Sequence, residues 1–154
     1  VMEINRNQRR RLIYKLRKAL GNLNDKTIGI LGISFKPNTD DIREAPALEI
    51  IHLLQNEGAK IQAYDPQSME NAAQVLSKVK LCENPYQVAE EADALILITE
   101  WNEFKQLDFE RIKTLLKQPI IMDGRNLWDE NYLKNMGFQY FGVGKGNKAS
   151  QFQE

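Results

Sequence analysis

The sequence predicts an α/β fold, a doubly wound parallel sheet of about six strands, and three observations carry that expectation. Between Thr27 and Phe141, short β-type runs alternate with amphipathic helical patterns. One run, Ala94-Leu95-Ile96-Leu97-Ile98, is apolar without interruption, as a parallel strand buried on both faces requires. Another, residues 27–33, breaks into a polar loop that opens a helix at Pro46. A strand that runs through a loop into a helix is where sheets of this class hold ligands.

Taken in order, residues 1–20 are helical in composition, with no Pro or Gly before Gly21. Leu12, Leu16 and Leu20, with Ile13 beside them, form a narrow apolar stripe that needs a surface to cover it, the sheet or a second copy. Arg9-Arg10-Arg11 reads as the polar face of that helix rather than as a nucleic-acid contact. Gly21 is a C-cap and 22–26 a turn. Strand one follows at 27–33, then a helix at 47–56 that directs Leu48, Ile51 and Leu54 to the sheet and stops at Gly58. Strand two, 60–64, reaches Asp65-Pro66. The remaining pairs are a helix at 68–76 with a strand at 79–82, and a helix at 86–91, opened by Pro85, with the strand at 94–98. A helix at 108–116 precedes strand five at 119–122, and a helix at 130–136 precedes strand six at 138–141. The chain thus divides into a helix (1–21), the α/β domain (22–142) and a polar stretch without periodicity, expected to be a flexible tail (143–154). Because it opens on Val1-Met2 within a helical pattern, it reads as part of something longer.

Composition narrows the function. Lys+Arg and Asp+Glu both number 21, so no nucleic-acid partner is expected. No apolar run approaches the ~20 residues of a membrane span, and no signal peptide is visible. Cys82, the single cysteine, excludes an internal disulfide and suits a reducing, cytoplasmic location. It has no evident base and reads as a small apolar residue; His52 lies in a helix with no Ser, Cys or acid spaced to form a triad. No catalytic and no metal-ligating residues are therefore expected.

Right-handed crossovers predict the strand order 3-2-1-4-5-6, with a crevice between strands one and four at their C-terminal ends. Phe35-Lys36, Thr99-Glu100-Trp101 and Asp123-Gly124-Arg125 all project onto that edge. Lys36 is a compact cation for a phosphate or a sugar hydroxyl, with Phe35 as its apolar neighbour. Arg125 offers a planar fork, or else a salt bridge to Asp123 or Asp129. Arg43 sits where the loop becomes helix, and its alternative is an ion pair with Glu44 or Asp40. The whole loop, with its two cations and its acids, has a plainer reading as a solvated turn. Trp101 reads as core ahead of a stacking platform. Asp65 reads as a helix N-cap, because the Gly-x-Gly-x-x-Gly that accompanies a ribose-binding acid is absent.

The stretch from Ile30 to Pro46, Ile-Leu-Gly-Ile-Ser-Phe-Lys-Pro-Asn-Thr-Asp-Asp-Ile-Arg-Glu-Ala-Pro, resembles the opening of the C-terminal, UDP-binding domain of the UDP-glucose 6-dehydrogenases, in the UDP-glucose/GDP-mannose dehydrogenase family. Tyr64-Asp65-Pro66, Thr99-Glu100-Trp101 with Glu103-Phe104, Asp123-Gly124-Arg125-Asn126 and the short Ile4-Asn5-x-x-Gln8 are similar to the same family, with small-for-small departures at Ser34 and Ala45. The resemblance implies a Rossmann-like domain preceded by the end of a central dimerisation helix. It assigns Phe35, Lys36 and Arg125 to the UDP-sugar and Arg43 to NAD. It further implies oxidation of UDP-glucose to UDP-glucuronate with reduction of two NAD, by a cysteine that precedes this domain. Partners would be the N-terminal NAD-binding and central helical parts of the same enzyme, within a homodimer. Relatives acting on UDP-N-acetylmannosamine or GDP-mannose share the loop, and a stand-alone, non-catalytic nucleotide-binding module is the third reading. The wording after strands four and five favours the glucose enzyme.

Overall fold

The structure, a computed structural model, describes residues 6–142. Ile4-Asn5 and the expected tail at 143–154 lie outside the described residues. Helix α1 (Arg6–Leu20) ends at Gly21, which takes the left-handed φ of 79° that a C-cap needs. Strand β1 (Thr27–Leu31) is followed by α2 (Pro46–Asn56), β2 (Lys60–Tyr64), α3 (Met69–Val75) and β3 (Val79–Leu81). The second half holds α4 (Pro85–Ala89), β4 (Ala94–Leu97), a 3-10 turn (Asn102–Phe104), α5 (Phe109–Leu115), β5 (Ile120–Asp123), α6 (Glu130–Asn135) and β6 (Gln139–Gly142). Pro46 and Pro85 sit at helix starts, where a missing N–H costs nothing. Asn84, Asp108 and Asp129 cap α4, α5 and α6 by accepting from the backbone N–H of Gln87, Arg111 and Tyr132.

All six strands are parallel, in the order β3-β2-β1-β4-β5-β6 that right-handed crossovers predict. The pleat then sorts the side chains. Ile28, Ile30, Ile61, Ala63, Ile96 and Met122 face a layer made by α1, α2 and α3. Leu31, Leu95, Leu97, Ile121 and Tyr140 face α4, α5 and α6. Because the chain steps one way from β1 to β3 and the other way from β4 to β6, crossovers of one hand place the helices on both faces. No helix among the described residues is long and apolar enough to cross a membrane.

One strand end and one helix face differ from expectation for physical reasons, beyond shifts of one or two residues at other element ends. Strand β1 stops at Leu31, short of the expected 33, because Gly32 turns the chain with a φ of 93° and the next N–H groups leave the sheet for a side chain. Helix α2 faces the core through Ala47, Ile50, Ile51 and Leu54, an i, i+3, i+4, i+7 set. Leu48, expected to face the sheet, is only partly buried beside that stripe.

Helix α1 folds back on the sheet. Leu12, Ile13 and Leu16 are buried in the same cluster as Ile96 and Met122, while Leu20 is partly buried at its edge. Two ion pairs, Arg9 with Glu49 and Arg17 with Glu57, tie it alongside α2. Leu16 is fully buried. Truncation by Leu16→Ala should therefore cost about 2–5 kcal/mol in urea denaturation. A loss below about 0.5 kcal/mol would mean that α1 contributes no more than a surface element does.

Candidate functional site

Three loops leave the C-terminal edge of adjacent strands β1, β4 and β5. The first is pressed against the second from its opening residue. A Cβ on Gly32 would lie 2.6 Å from the Thr99 Cβ and from the Thr99 backbone nitrogen, so only glycine fits. Two residues on, the Thr99 hydroxyl donates to the Ser34 carbonyl at 2.7 Å. The loop next closes on itself. The Phe35 N–H donates to the Asp41 carbonyl at 2.9 Å, the Ser34 hydroxyl to the Thr39 carbonyl at 2.8 Å, and the Asp41 N–H to the Thr39 hydroxyl at 3.1 Å. Asn71 of α3 adds a bond to the Asp40 carbonyl at 2.8 Å. With its backbone occupied in this way, the loop leaves Phe35 and Lys36 exposed.

Beneath it lies Asp65, whose side chain has no solvent exposure. Its Oδ2 accepts from the N–H of Ile33 (2.7 Å), the N–H of Ser34 (2.8 Å) and the indole N–H of Trp101 (3.1 Å). Its Oδ1 accepts from the N–H groups of Gln67 (2.9 Å) and Ser68 (3.0 Å), and the Ser34 hydroxyl reaches both oxygens. Burial alone would raise this carboxyl, but the N–H donors of Ser34, Gln67 and Ile33 outweigh it and hold Asp65 below the ordinary aspartate value. The expected N-cap role is thus corrected: Ser68 holds the N-cap position of α3, and Asp65 joins three loops. Trp101, only 5% exposed, is the core residue its position suggested.

The third loop is built around a second buried carboxylate. Asp123 accepts from the N–H groups of Arg125 (3.1 Å), Leu127 (3.0 Å) and Trp128 (2.8 Å) and from the Tyr140 hydroxyl (2.8 Å). Burial, and then the Asp123 charge, push the Tyr140 phenol above its usual range. The Gly124 N–H donates to the Leu97 carbonyl at 2.9 Å, which fastens this loop to the end of β4. Arg125 consequently meets Glu100. Its Nε lies 3.1 Å from Oε1 and its Nη2 3.1 Å from Oε2, with the arginine side chain 9% exposed. Neither anticipated partner takes it, because Asp123 is occupied by backbone donors and Asp129 caps α6.

Arg43 is 88% exposed and pairs with Asp41, Nε to Oδ1 and Nη2 to Oδ2, both at 3.1 Å. The expected partners were Glu44 and Asp40. Asp41 is favoured because the Arg43 N–H also donates to its Oδ1, closing a two-residue turn. The Arg43 guanidinium then holds Asp41 below the ordinary carboxylate range. So exposed a pair is weak and exchangeable. Thr39, Asp41, Arg43, Asn71 and Gln74 line a groove between this loop and α3.

The structure thus places Phe35 and Lys36 on the loop after β1 and Arg125 on the loop after β5, with β4 between the two strands, along one edge. Arg43 is set on the far limb of the first loop. Glu100, Asp65 and Asp123 are visible in the sequence, but their roles are not: Glu100 as the partner of Arg125, and Asp65 and Asp123 as buried acceptors for loop N–H groups. His52 is exposed on α2, and Cys82 is 3% exposed, with burial pushing its thiol up. Among the described residues no cluster of three or more His, Cys, Asp or Glu could hold a metal.

Comparison with known proteins follows the same edge. A family described as the UDP-glucose/GDP-mannose dehydrogenase family, UDP binding domain, matches residues 29–130. The chain is 41% identical over 143 residues to a UDP-glucose 6-dehydrogenase of Rhizobium meliloti (strain 1021), covering 92% of this chain and 33% of that protein. It is 41% identical over 146 residues to one of Bacillus subtilis (strain 168), covering 94% and 32%. Among solved structures, a UDP-glucose dehydrogenase from Pyrobaculum islandicum superposes with a TM-score of 0.69 at 33% identity, covering 77% of this chain and 26% of that one. A UDP-D-ManNAc dehydrogenase from Pyrococcus horikoshii gives 0.70 at 31%, covering 89% and 30%. The chain therefore spans about a third of the length of the curated relatives it matches.

A carboxyl depressed in the folded state stabilises the fold above its unfolded value and loses that contribution as pH falls through the folded one. For Asp65 the window opens near the ordinary aspartate value of 3.8 and extends below it. Asp65→Asn should flatten the acid limb of the melting curve below about pH 4 and cost about 1–3 kcal/mol at pH 7, from donors left without an acceptor. An unchanged acid limb would remove Asp65 from that balance.

Proposed function

The chain belongs to the UDP-glucose/GDP-mannose dehydrogenase family, as its UDP-binding domain, and on that premise we propose that it is the UDP-sugar clamp of an NAD-dependent UDP-glucose 6-dehydrogenase. The observation that carries the proposal is the edge itself, where Phe35 and Lys36 stand exposed on the loop after β1 and Arg125 is held by Glu100 on the loop after β5. Lys36 supplies an exposed positive charge to the diphosphate or a sugar hydroxyl, and Phe35 an apolar wall. Glu100 takes the Nε–H and one Nη2–H of Arg125, so the second Nη2–H and the Nη1 N–H groups form the donor edge that remains for a ligand.

Supporting UDP-glucose over another nucleotide sugar are the two relatives at 41% identity, both UDP-glucose 6-dehydrogenases. NAD, when bound, would accept hydride from the C6 carbon of the sugar. The residues present fit only a fraction of it. Arg43, with its weak exposed partner beside an open groove, can give one charge-assisted contact. The reading therefore assigns most of the NAD site and the catalytic cysteine to the remainder of a longer enzyme, a cytoplasmic homodimer.

Titration of the chain with UDP, UDP-glucose, GDP-mannose and NAD tests the proposal. UDP and UDP-glucose should bind near the millimolar level, about −4 kcal/mol, and the other two more weakly. Lys36→Ala should lose about 1.5–3 kcal/mol of that affinity, a loss that in a weak binder abolishes detectable binding. In the enzyme that carries this domain, Lys36→Ala and Arg125→Ala should raise KM for UDP-glucose more than for NAD, and Arg43→Ala the reverse. GDP-mannose binding as tightly as UDP-glucose would turn the assignment toward a different nucleotide sugar. The isolated chain mixed with UDP-glucose and NAD should produce no reduced cofactor.

A further inference from the structure

A buried aspartate that capped only its own helix would need two or three N–H donors from the next turn. Asp65 has those at Oδ1, from Gln67 and Ser68. Its Oδ2 is spent on other loops, on the N–H groups of Ile33 and Ser34, the two residues immediately before Phe35, and on the indole of Trp101, the residue after Glu100. We propose that Asp65 is a positioning residue for the UDP-sugar clamp, fixing from below the loop that presents Phe35 and Lys36 and locking it to the loop that carries Glu100.

The inference rests on the functional reading above for the ligand's identity, and on geometry for the rest. Two consecutive N–H groups aimed at one oxygen fix the orientation of both peptides, so the chain enters position 35 in a single direction. The Thr99 hydroxyl on the Ser34 carbonyl holds the same peptide unit from its other side. The single Ser34 O–H lies within hydrogen-bond distance of Asp65 and of the Thr39 carbonyl on the returning limb, and donates to one of them at a time. The returning limb is held independently by the Phe35 N–H, which donates to the Asp41 carbonyl. The side chain itself, fully buried, has no route to a ligand, which makes its role one of placement and not of contact.

An amide cannot replace it. An asparagine has one acceptor oxygen and one NH2, so whichever way it turns, a set of N–H donors faces a donor. If the oxygen serves Gln67 and Ser68, the NH2 meets Ile33, Ser34 and Trp101. That asymmetry separates placement from plain stability. A structural residue lowers the melting point, yet leaves the folded loop where it was.

The test uses the 154-residue chain well below its melting temperature, with UDP as the probe. Amide hydrogen exchange without ligand is read at Ile33, Ser34 and Phe35 against Ile121 and Met122 of β5. UDP affinity is read for the wild type and Asp65→Asn by chemical-shift titration. In Asp65→Asn, exchange at 33–35 should rise about tenfold while β5 stays protected, and UDP affinity should fall about tenfold. Wild-type exchange and affinity in folded Asp65→Asn would overturn the proposal. If the wild-type chain fails to bind UDP, the functional reading falls, and the exchange at 33–35 alone decides whether Asp65 places the loop. Should Asp65→Asn fail to fold, Trp101→Phe removes a single donor and keeps the ring; a severalfold loss of affinity with faster exchange is expected, and none overturns the proposal.

Discussion

Everything on the ligand edge depends on an anion kept out of water. In a parallel sheet no hairpin joins neighbouring strands, so the loops that leave its C-terminal edge carry N–H groups with no ladder to enter. Left buried and unpaired, each would cost on the order of 1–3 kcal/mol. Asp65 takes four such backbone donors, and Asp123 takes three. The arrangement works in both directions. The loops gain acceptors, and Asp65 gains enough N–H dipoles to remain ionised without solvent, as its lowered value reflects. Removing either side strands the other, which is why the site-bearing loops and the sheet end form one unit.

Steric limits make that unit rigid. Gly32 touches Thr99 too closely for any side chain, and Gly29 of β1 faces Val88 of α4, where a Cβ would come within 2.7 Å of the valine side chain. The first contact brings the loops after β1 and β4 to hydrogen-bonding range, and the second lets the lower helix layer approach the sheet centre. Such closeness is what allows Trp101 to reach Asp65 from the far side of Thr99. In the proposed clamp, positions 35, 36 and 125 then inherit their placement from packed backbone and not from loop entropy.

The sheet was legible in the sequence because its rules are local or chiral. Alternation of patterns gives the elements, and crossover handedness gives the order, including the edge to which Phe35, Lys36 and Arg125 belong. What escaped was contact across strands. Glu100 and Arg125 are 25 residues apart and meet only because β4 and β5 are neighbours whose loops turn toward one another. The donors to the Oδ2 of Asp65 lie 31 to 36 residues away, and those to Oδ1 only two and three, so a strand-final Asp before Pro-x-Ser looks like a cap. The α2 face was misread by part of a turn because Leu48 and Ile50 are equally apolar on paper. Only the packing of α1 against the same cluster decides between them. At Arg43 the choice lay among three nearby acids, and the backbone turn to Asp41 made it.

Glu100 appears at first to work against an anion site, and its geometry shows why it does not. Arg125, with a side chain only 9% exposed, would bear a large desolvation cost if it had no counter-charge. Paired, it is affordable in the protein and is locked in one rotamer by two parallel bonds. The pair is close to neutral, so in the proposed clamp long-range attraction for a diphosphate would fall to Lys36, which is exposed and whose charge already registers at Asp41. The labour would divide between the two cations. Lys36 would draw the anion in through solvent, where salt screens it. Arg125 would contribute direction from a fixed donor edge at low dielectric, where a bond made in one orientation is worth more than one made in any.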